Sequence, residues 1–132
     1  MNKKTLFLVE DNQDNAELIR DLIGDDYDLA CFPDGPSALA ALTEKAGPVP
    51  DLLLLDISLP GMDGTTLLRH IRSHPRLKQI PALALTAHAM KSDKENLIAA
   101  GFNAYVSKPI TDDRLLTDAI EANTSHPISA AA

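Results

Sequence analysis

Tryptophan is absent from this 132-residue chain, and cysteine occurs once. A single cysteine excludes an internal disulfide framework. Cys31, in an apolar stretch with no nearby His or cation in sequence, reads as a structural thiol in a reducing compartment. Aromatic residues reach only 4%, so aliphatic side chains must carry the core. Positive charge is in deficit as well: 12 Lys and Arg stand against 19 Asp and Glu, a net charge of −7. That balance argues against nucleic acid or an anionic membrane as the direct partner, while leaving room for a local basic site. No apolar run is long enough for a membrane span, and the five mainly apolar residues after Met1-Asn2-Lys3-Lys4 are too few for a signal-peptide core. A cytoplasmic protein is expected.

What the chain does contain is a series of short apolar runs, each ending on a polar group. Leu52-Leu53-Leu54-Leu55 stops at Asp56, between Pro50 and Pro60-Gly61, and a continuous run of this length reads as a strand buried on both faces. Thr5 to Val9 ends at Glu10 and Asp11, Ala82 to Thr86 follows Pro81, and Ala104 to Ser107 precedes Lys108. Tyr27 to Phe32 is a weaker strand. Between them, helical spacing predicts helices over Asp14 to Ile23, Ser37 to Lys45, Thr65 to Ser73, Lys91 to Ala100 and Asp112 to Ala122. Their expected inward residues include Ala38, Leu39, Ala41 and Leu42, then Leu97 and Ile98, then Leu115, Leu116, Ala119 and Ile120. Gly24 and Gly101 are expected helix stops, and Asn12 and Asp14 expected caps of the first helix. Strands alternating with helices through short loops predict an α/β fold, a doubly wound parallel sheet of five strands with five helices. Composition fits one domain, 1–123, with 124–132 a flexible tail.

In such a sheet, ligands bind at the carboxyl ends of the strands. Glu10, Asp11, Asp56, Thr86, Ala87 and Lys108 should therefore meet at one edge. Singly, each acid is as well explained by a helix cap or a solvated loop. Jointly, two carboxylates about 4 Å apart repel by roughly 4 kcal/mol at an effective dielectric near 20, so their clustering calls for a cation. Lys108 can neutralise only one. An all-oxygen donor set with no His or Cys suits Mg²⁺ better than zinc. A phosphoryl group, held also by Lys108 and the Thr86 hydroxyl, is the natural third party, and Asp56 itself can accept it as an aspartyl phosphate. His70 and His74 have the i, i+4 spacing of a helical metal pair, but no third ligand is evident and they read as exposed-face histidines.

Four separated motifs carry a resemblance: Val9-Glu10-Asp11-Asn12, Asp56 through Gly64, Thr86-Ala87, and Tyr105-Val106-Ser107-Lys108-Pro109. In this order, spread from Lys4 to Asn123, they are similar to the CheY-like receiver domain of two-component response regulators. The resemblance implies a flavodoxin-like sheet of order 2-1-3-4-5. It implies that Asp56 takes a phosphoryl group from a phosphohistidine on a sensor histidine kinase or histidine phosphotransfer protein. It further implies that Asp11, Asp56 and the Ser58 carbonyl oxygen ligate Mg²⁺, with Glu10 acting through a water. Backbone N–H groups of Ile57, Ser58 and Ala87, with Lys108 and Thr86, would hold the phosphoryl oxygens, and the bond before Pro109 would be cis. Thr86 and Tyr105 match the family's switch pair, coupling phosphorylation to a downstream effector protein, and Ser58 and His88 would govern water access. Glu10 stands where many relatives have aspartate, which puts the outer metal geometry in question.

The chain resembles stand-alone receivers of the DivK type, and also receivers carried by hybrid histidine kinases, which stand as the alternative. In either case it would act as a phosphoacceptor and not as an enzyme. A haloacid-dehalogenase-type Mg²⁺ phosphatase needs a second acid two positions after its nucleophile, where this chain has Ser58. A flavodoxin-like FMN carrier needs a Ser/Thr/Gly-rich first loop, where Glu10-Asp11 would repel phosphate.

Overall fold

The computed structural model describes residues 4–44, 49–59, 61–87, 91–108, 110 and 113–124. In chain order the elements are β1 (Thr5–Val9), α1 (Gln13–Ile23), β2 (Asp28–Phe32), α2 (Gly35–Thr43), β3 (Leu52–Asp56), α3 (Gly64–Arg72), a 3₁₀ turn (Pro75–Leu77), β4 (Ala82–Thr86), α4 (Lys91–Ala100), β5 (Ala104–Ser107) and α5 (Asp113–Thr124). All strand pairs are parallel and the sheet order is β2-β1-β3-β4-β5. This is the expected doubly wound topology.

The leucine run of β3 shows why the strands lack alternation. Leu53 and Leu55 pack with Phe7, Val9, Ala82 and Ala84 under α2, α3 and α4. Leu52 and Leu54 pack with Leu6, Leu8, Leu83 and Leu85 under α1 and α5. Both faces of the central strands are roofed by helices, so each position is apolar and the first polar residue marks the strand's exit from the core.

Helix starts differ from expectation by a residue or two, because side-chain caps set them. Asn12 accepts the Asn15 N–H and α1 starts at Gln13, which leaves Asp14 inside the first turn. Asp34 caps α2 by accepting the Ser37 N–H at 2.9 Å. Pro36 then falls in the first turn, where its missing N–H costs nothing, so the helix starts before Ser37. Gly101 closes α4 with φ of +112°, a conformation that disfavours any other residue.

Two expected inward residues point outward. Ile98 is 55% exposed and Leu115 63% exposed, whereas their neighbours Leu97 and Leu116 are buried. Adjacent apolar residues on a helix sit about 100° apart, and a single layer of sheet beneath α4 and α5 covers only one of each pair. Cys31 is half-buried, and a cation does reach it: Arg20 Nη2 donates to Sγ at 3.1 Å. His70 and His74 are exposed, as expected. Of the expected tail, Thr124 is instead the last residue of α5 and residues 125–132 lie outside the described residues; no helix among the described residues is long and apolar enough to cross a membrane.

Candidate functional site

Each strand ends where the sheet stops covering it, and four of the five ends deliver a polar side chain to one edge. Asp56 is the last residue of β3 and 3% exposed, Thr86 the last of β4 and 5% exposed, and Glu10, directly after β1, is 4% exposed. Asp11 follows as an exposed neighbour, and Lys108 comes directly after β5. The Lys108 N–H donates to Thr86 O at 2.8 Å, which continues the β4–β5 ladder one step and turns the side chain into the edge.

The acids and the amine do meet. Lys108 Nζ donates to Asp56 Oδ2 at 2.9 Å and to Glu10 Oε1 at 3.3 Å. The Ser58 N–H donates to Asp56 Oδ1 at 3.0 Å, and the Asn12 N–H to Glu10 Oε2 at 3.2 Å. Oxygens of Glu10, Asp11 and Asp56 all lie within 4.8 Å of one another. Three carboxylates thus face one ammonium. Burial, followed by a hydrogen bond and charge repulsion from Asp56, pushes the Glu10 carboxyl above the usual glutamate range, against the pull of the Asn12 N–H and Lys108. Burial draws Lys108 down, but its bonds and charge attraction to Asp56 and Glu10 outweigh that and hold it above the usual lysine range. The residual negative charge, on hard oxygen donors, fits a divalent cation of the Mg²⁺ type.

The expectation that the Ile57 N–H faces a bound phosphoryl group is not met. That N–H donates to Leu85 O at 3.0 Å, inside the sheet. The Ser58 N–H, one residue further, does point at Asp56. Ala87 is exposed directly after β4, whereas His88 and Pro109, with its cis bond, lie outside the described residues.

Thr86 lines a cleft of about 370 Å³ together with Ile57, Thr65, Asp93, Asn96 and Leu97. Tyr105 lies on the same sheet face: it pairs with Ala84, two residues before Thr86, and packs half-buried against the cluster under α3 and α4. Lys94 of α4 sits 5.2 Å from its ring centroid. Thr86 and Tyr105 are therefore neighbours across β4 and β5.

Gly64, which in the sequence only closes the motif begun by Asp56, is a positioning residue. The loop from β3 to α3 folds back so tightly that a Cβ on Gly64 would stand 2.5 Å from Asp56 O and 3.0 Å from Ile57 Cα. Its N–H donates to Ile57 O at 3.1 Å, which ties the start of α3 to the end of β3. The Asp-Gly pair before an apolar-periodic run was the available signal. Asp63 caps α3 by accepting the Thr66 N–H at 2.8 Å, and Gly64 permits the approach.

Comparison with known proteins follows the same outline. Residues 6–120 match the family model of the response regulator receiver domain. The chain is 39% identical over 114 residues to the polar-differentiation response regulator DivK of Brucella anthropi, covering 86% of this chain and 90% of the relative. Among solved structures it resembles a putative response regulator from Chloroflexus aurantiacus, with a TM-score of 0.85, 32% identity, and coverage of 94% of this chain and 99% of the other. It also resembles the receiver domain of a sensor histidine kinase from Pseudomonas aeruginosa, with a TM-score of 0.81, 30% identity, and coverage of 93% and 98%. That structure has a magnesium ion coordinated in its active site cleft.

Proposed function

The chain belongs to the response regulator receiver domain family of two-component signalling, and from that premise we propose that Asp56 is its phosphoacceptor. The observation that carries this reading is the contact of Lys108 with both Asp56 and Glu10, three side chains from three strand ends gathered about one buried carboxylate. In the transfer, an Asp56 carboxylate oxygen forms a bond to phosphorus as the P–N bond of a phosphohistidine breaks. The electron pair returns to the donor's imidazole. The Ser58 N–H and Lys108 hold the carboxylate, and Lys108, the Thr86 hydroxyl and the Ala87 N–H take up the phosphoryl oxygens.

Mg²⁺ would supply charge neutralisation at the transferring group, and Asp11, Asp56 and the Ser58 carbonyl oxygen would hold it. Glu10 has one oxygen on Lys108 and the other on the Asn12 N–H. With both oxygens already engaged by protein donors, Glu10 would act on the ion through a water. The donor is a sensor histidine kinase or histidine phosphotransfer protein, and the protein works in the cytoplasm as a phosphoacceptor that catalyses no other reaction. Output passes through Thr86 and Tyr105 to the face of α4, β5 and α5, as a population shift that alters affinity for a downstream protein. Lys4 to Asn123 forms the receiver, and the match to 90% of DivK favours a receiver acting on its own. A receiver from a hybrid kinase is the second reading, supported by the kinase-borne neighbour. The phosphatase alternative fails at Ser58, where no second acid stands.

The test is intact mass after incubation with acetyl phosphate and Mg²⁺. The parent should gain one phosphoryl group and Asp56→Asn none. Labelling that survives the substitution would overturn the assignment.

A further inference from the structure

Charge is unevenly spread along this acidic chain. Residues 64–92 hold five of the twelve Lys and Arg and none of the nineteen Asp and Glu. Four of the five, Arg69, Arg72, Arg76 and Lys78, fall in the end of α3 and the 3₁₀ turn beyond it. α3 starts against the Asp56 carbonyl and runs away from it. At 1.5 Å per residue its far end lies about 13 Å from that start, so the cations sit at the opposite end of the sheet from the phosphoacceptor.

This end is built rigidly. The Arg72 guanidinium donates to Ile80 O at 2.6 Å, to Gly101 O at 3.3 Å and to Leu77 O at 3.4 Å, clamping the turn onto α3. Among the described residues Arg69, Arg72 and Lys78 make no ion pair. Arg69, His70, His74 and Lys78 are exposed around the clamp, while Arg76 turns aside to Glu44 O at 3.3 Å. The preference of a helix C-terminus for cations accounts for Arg69, His70 and Arg72. It does not account for Lys78, six residues past the helix end.

We propose that this end is a docking surface for an acidic protein segment, occupied independently of phosphorylation. A duplex would bring a long array of phosphates against the remainder of a molecule of net charge −7. A membrane would need an apolar anchor, but Ile71 and Leu77, the large aliphatics of the tract, are both 0% exposed. Carboxylates on a short segment meet neither obstacle. The aspartyl phosphate lies beyond the screening length of about 8 Å at physiological salt, so its charge scarcely reaches this surface.

The test is an amide NMR titration of the full chain with a synthetic glutamate- and serine-rich peptide. Parallel titrations use a short DNA duplex and phosphatidylglycerol vesicles. Peptide should shift amides of residues 69–80, and Arg69→Glu with Lys78→Glu should weaken binding about tenfold, two exposed pairs each contributing several-fold. Lys94→Glu with Arg114→Glu changes the net charge equally at another place and should weaken it less than twofold. Asp56→Asn should bind as the parent does, which separates this surface from the phosphoacceptor reading. Peptide shifts elsewhere, equal weakening by the two double variants, or tighter binding of duplex or vesicles at 69–80 would each overturn the proposal.

Discussion

At Lys108 one ammonium, 20% exposed, faces two carboxylates that are almost wholly buried. Removing it leaves Asp56 and Glu10 with no cation between them, and breaking a buried pair in this way is among the costlier single changes a domain can suffer. We expect Lys108→Ala to lower the stability of the metal-free protein by about 2 kcal/mol in urea unfolding, below the fully buried case because Lys108 keeps some solvent. Millimolar Mg²⁺ should return much of that loss, since a divalent ion answers the same carboxylates; a deficit unchanged by Mg²⁺ would place the role of Lys108 elsewhere. At this scale much of the site was legible: Asp56, Thr86 and Lys108 follow apolar runs, and an apolar run ends where the sheet does. The Glu10 contact with Lys108 was not legible, because a glutamate after β1 and a lysine after β5, 98 positions apart, have to meet across the ends of β3 and β4. Nor was the commitment of the Ile57 N–H, since spacing does not reveal which backbone donors the sheet has already engaged.

β3 and α3 are joined by a loop that must clear the carbonyl of Asp56 itself. Gly64→Ala would set a methyl group 2.5 Å from Asp56 O, so the backbone has to separate. A cost of about 2 kcal/mol is expected. Because the displaced segment carries the Ser58 N–H, phosphorylation by acetyl phosphate should slow at temperatures where the variant is still fully folded. An unchanged rate would make Gly64 a packing residue only. The preceding Asp63 gives a pH dependence. The Thr66 N–H, with help from the Thr65 hydroxyl, holds its carboxyl below the usual aspartate range. A depressed folded-state value means the cap stabilises the protein above that range and loses its effect as pH falls through it. Asp63→Ala should therefore cost about 1 kcal/mol at neutral pH and less in acid, while Asp63→Asn, still a capping acceptor, should flatten this part of the pH profile. Thermal unfolding across acid to neutral pH reads both. Element positions were largely legible, with β3, β4 and β5 at their expected bounds. Helix faces were less so: the apolar pairs Leu97-Ile98 and Leu115-Leu116 do not say which member the sheet will cover.

For the molecule as a whole, the alternation of runs and helices was enough to place the strand ends together, because parallel strands with right-handed crossovers all end on one edge. Sequence also grouped the acids with a single amine at that edge; what it could not convey was that the oxygens of three carboxylates come within 4.8 Å of one another and that burial holds the Glu10 carboxyl above its usual range. Such a cluster is a folding cost that a bound divalent cation removes, and ligand binding to the native state adds RT ln(1 + [L]/Kd) to stability. At ten times Kd this amounts to about 1.4 kcal/mol, or a rise of roughly 4 °C in melting temperature for a domain of this size. Mg²⁺ should produce that rise in the parent, excess EDTA should reverse it, and Asp11→Ala, which deletes an exposed donor and leaves the core untouched, should remove most of it. Because Asp11→Ala also relieves repulsion, the metal-free variant should melt at or above the metal-free parent. A parent that melts identically with and without Mg²⁺, or an Asp11→Ala variant that keeps the full increment, would mean that the three acids do not act as one ion site.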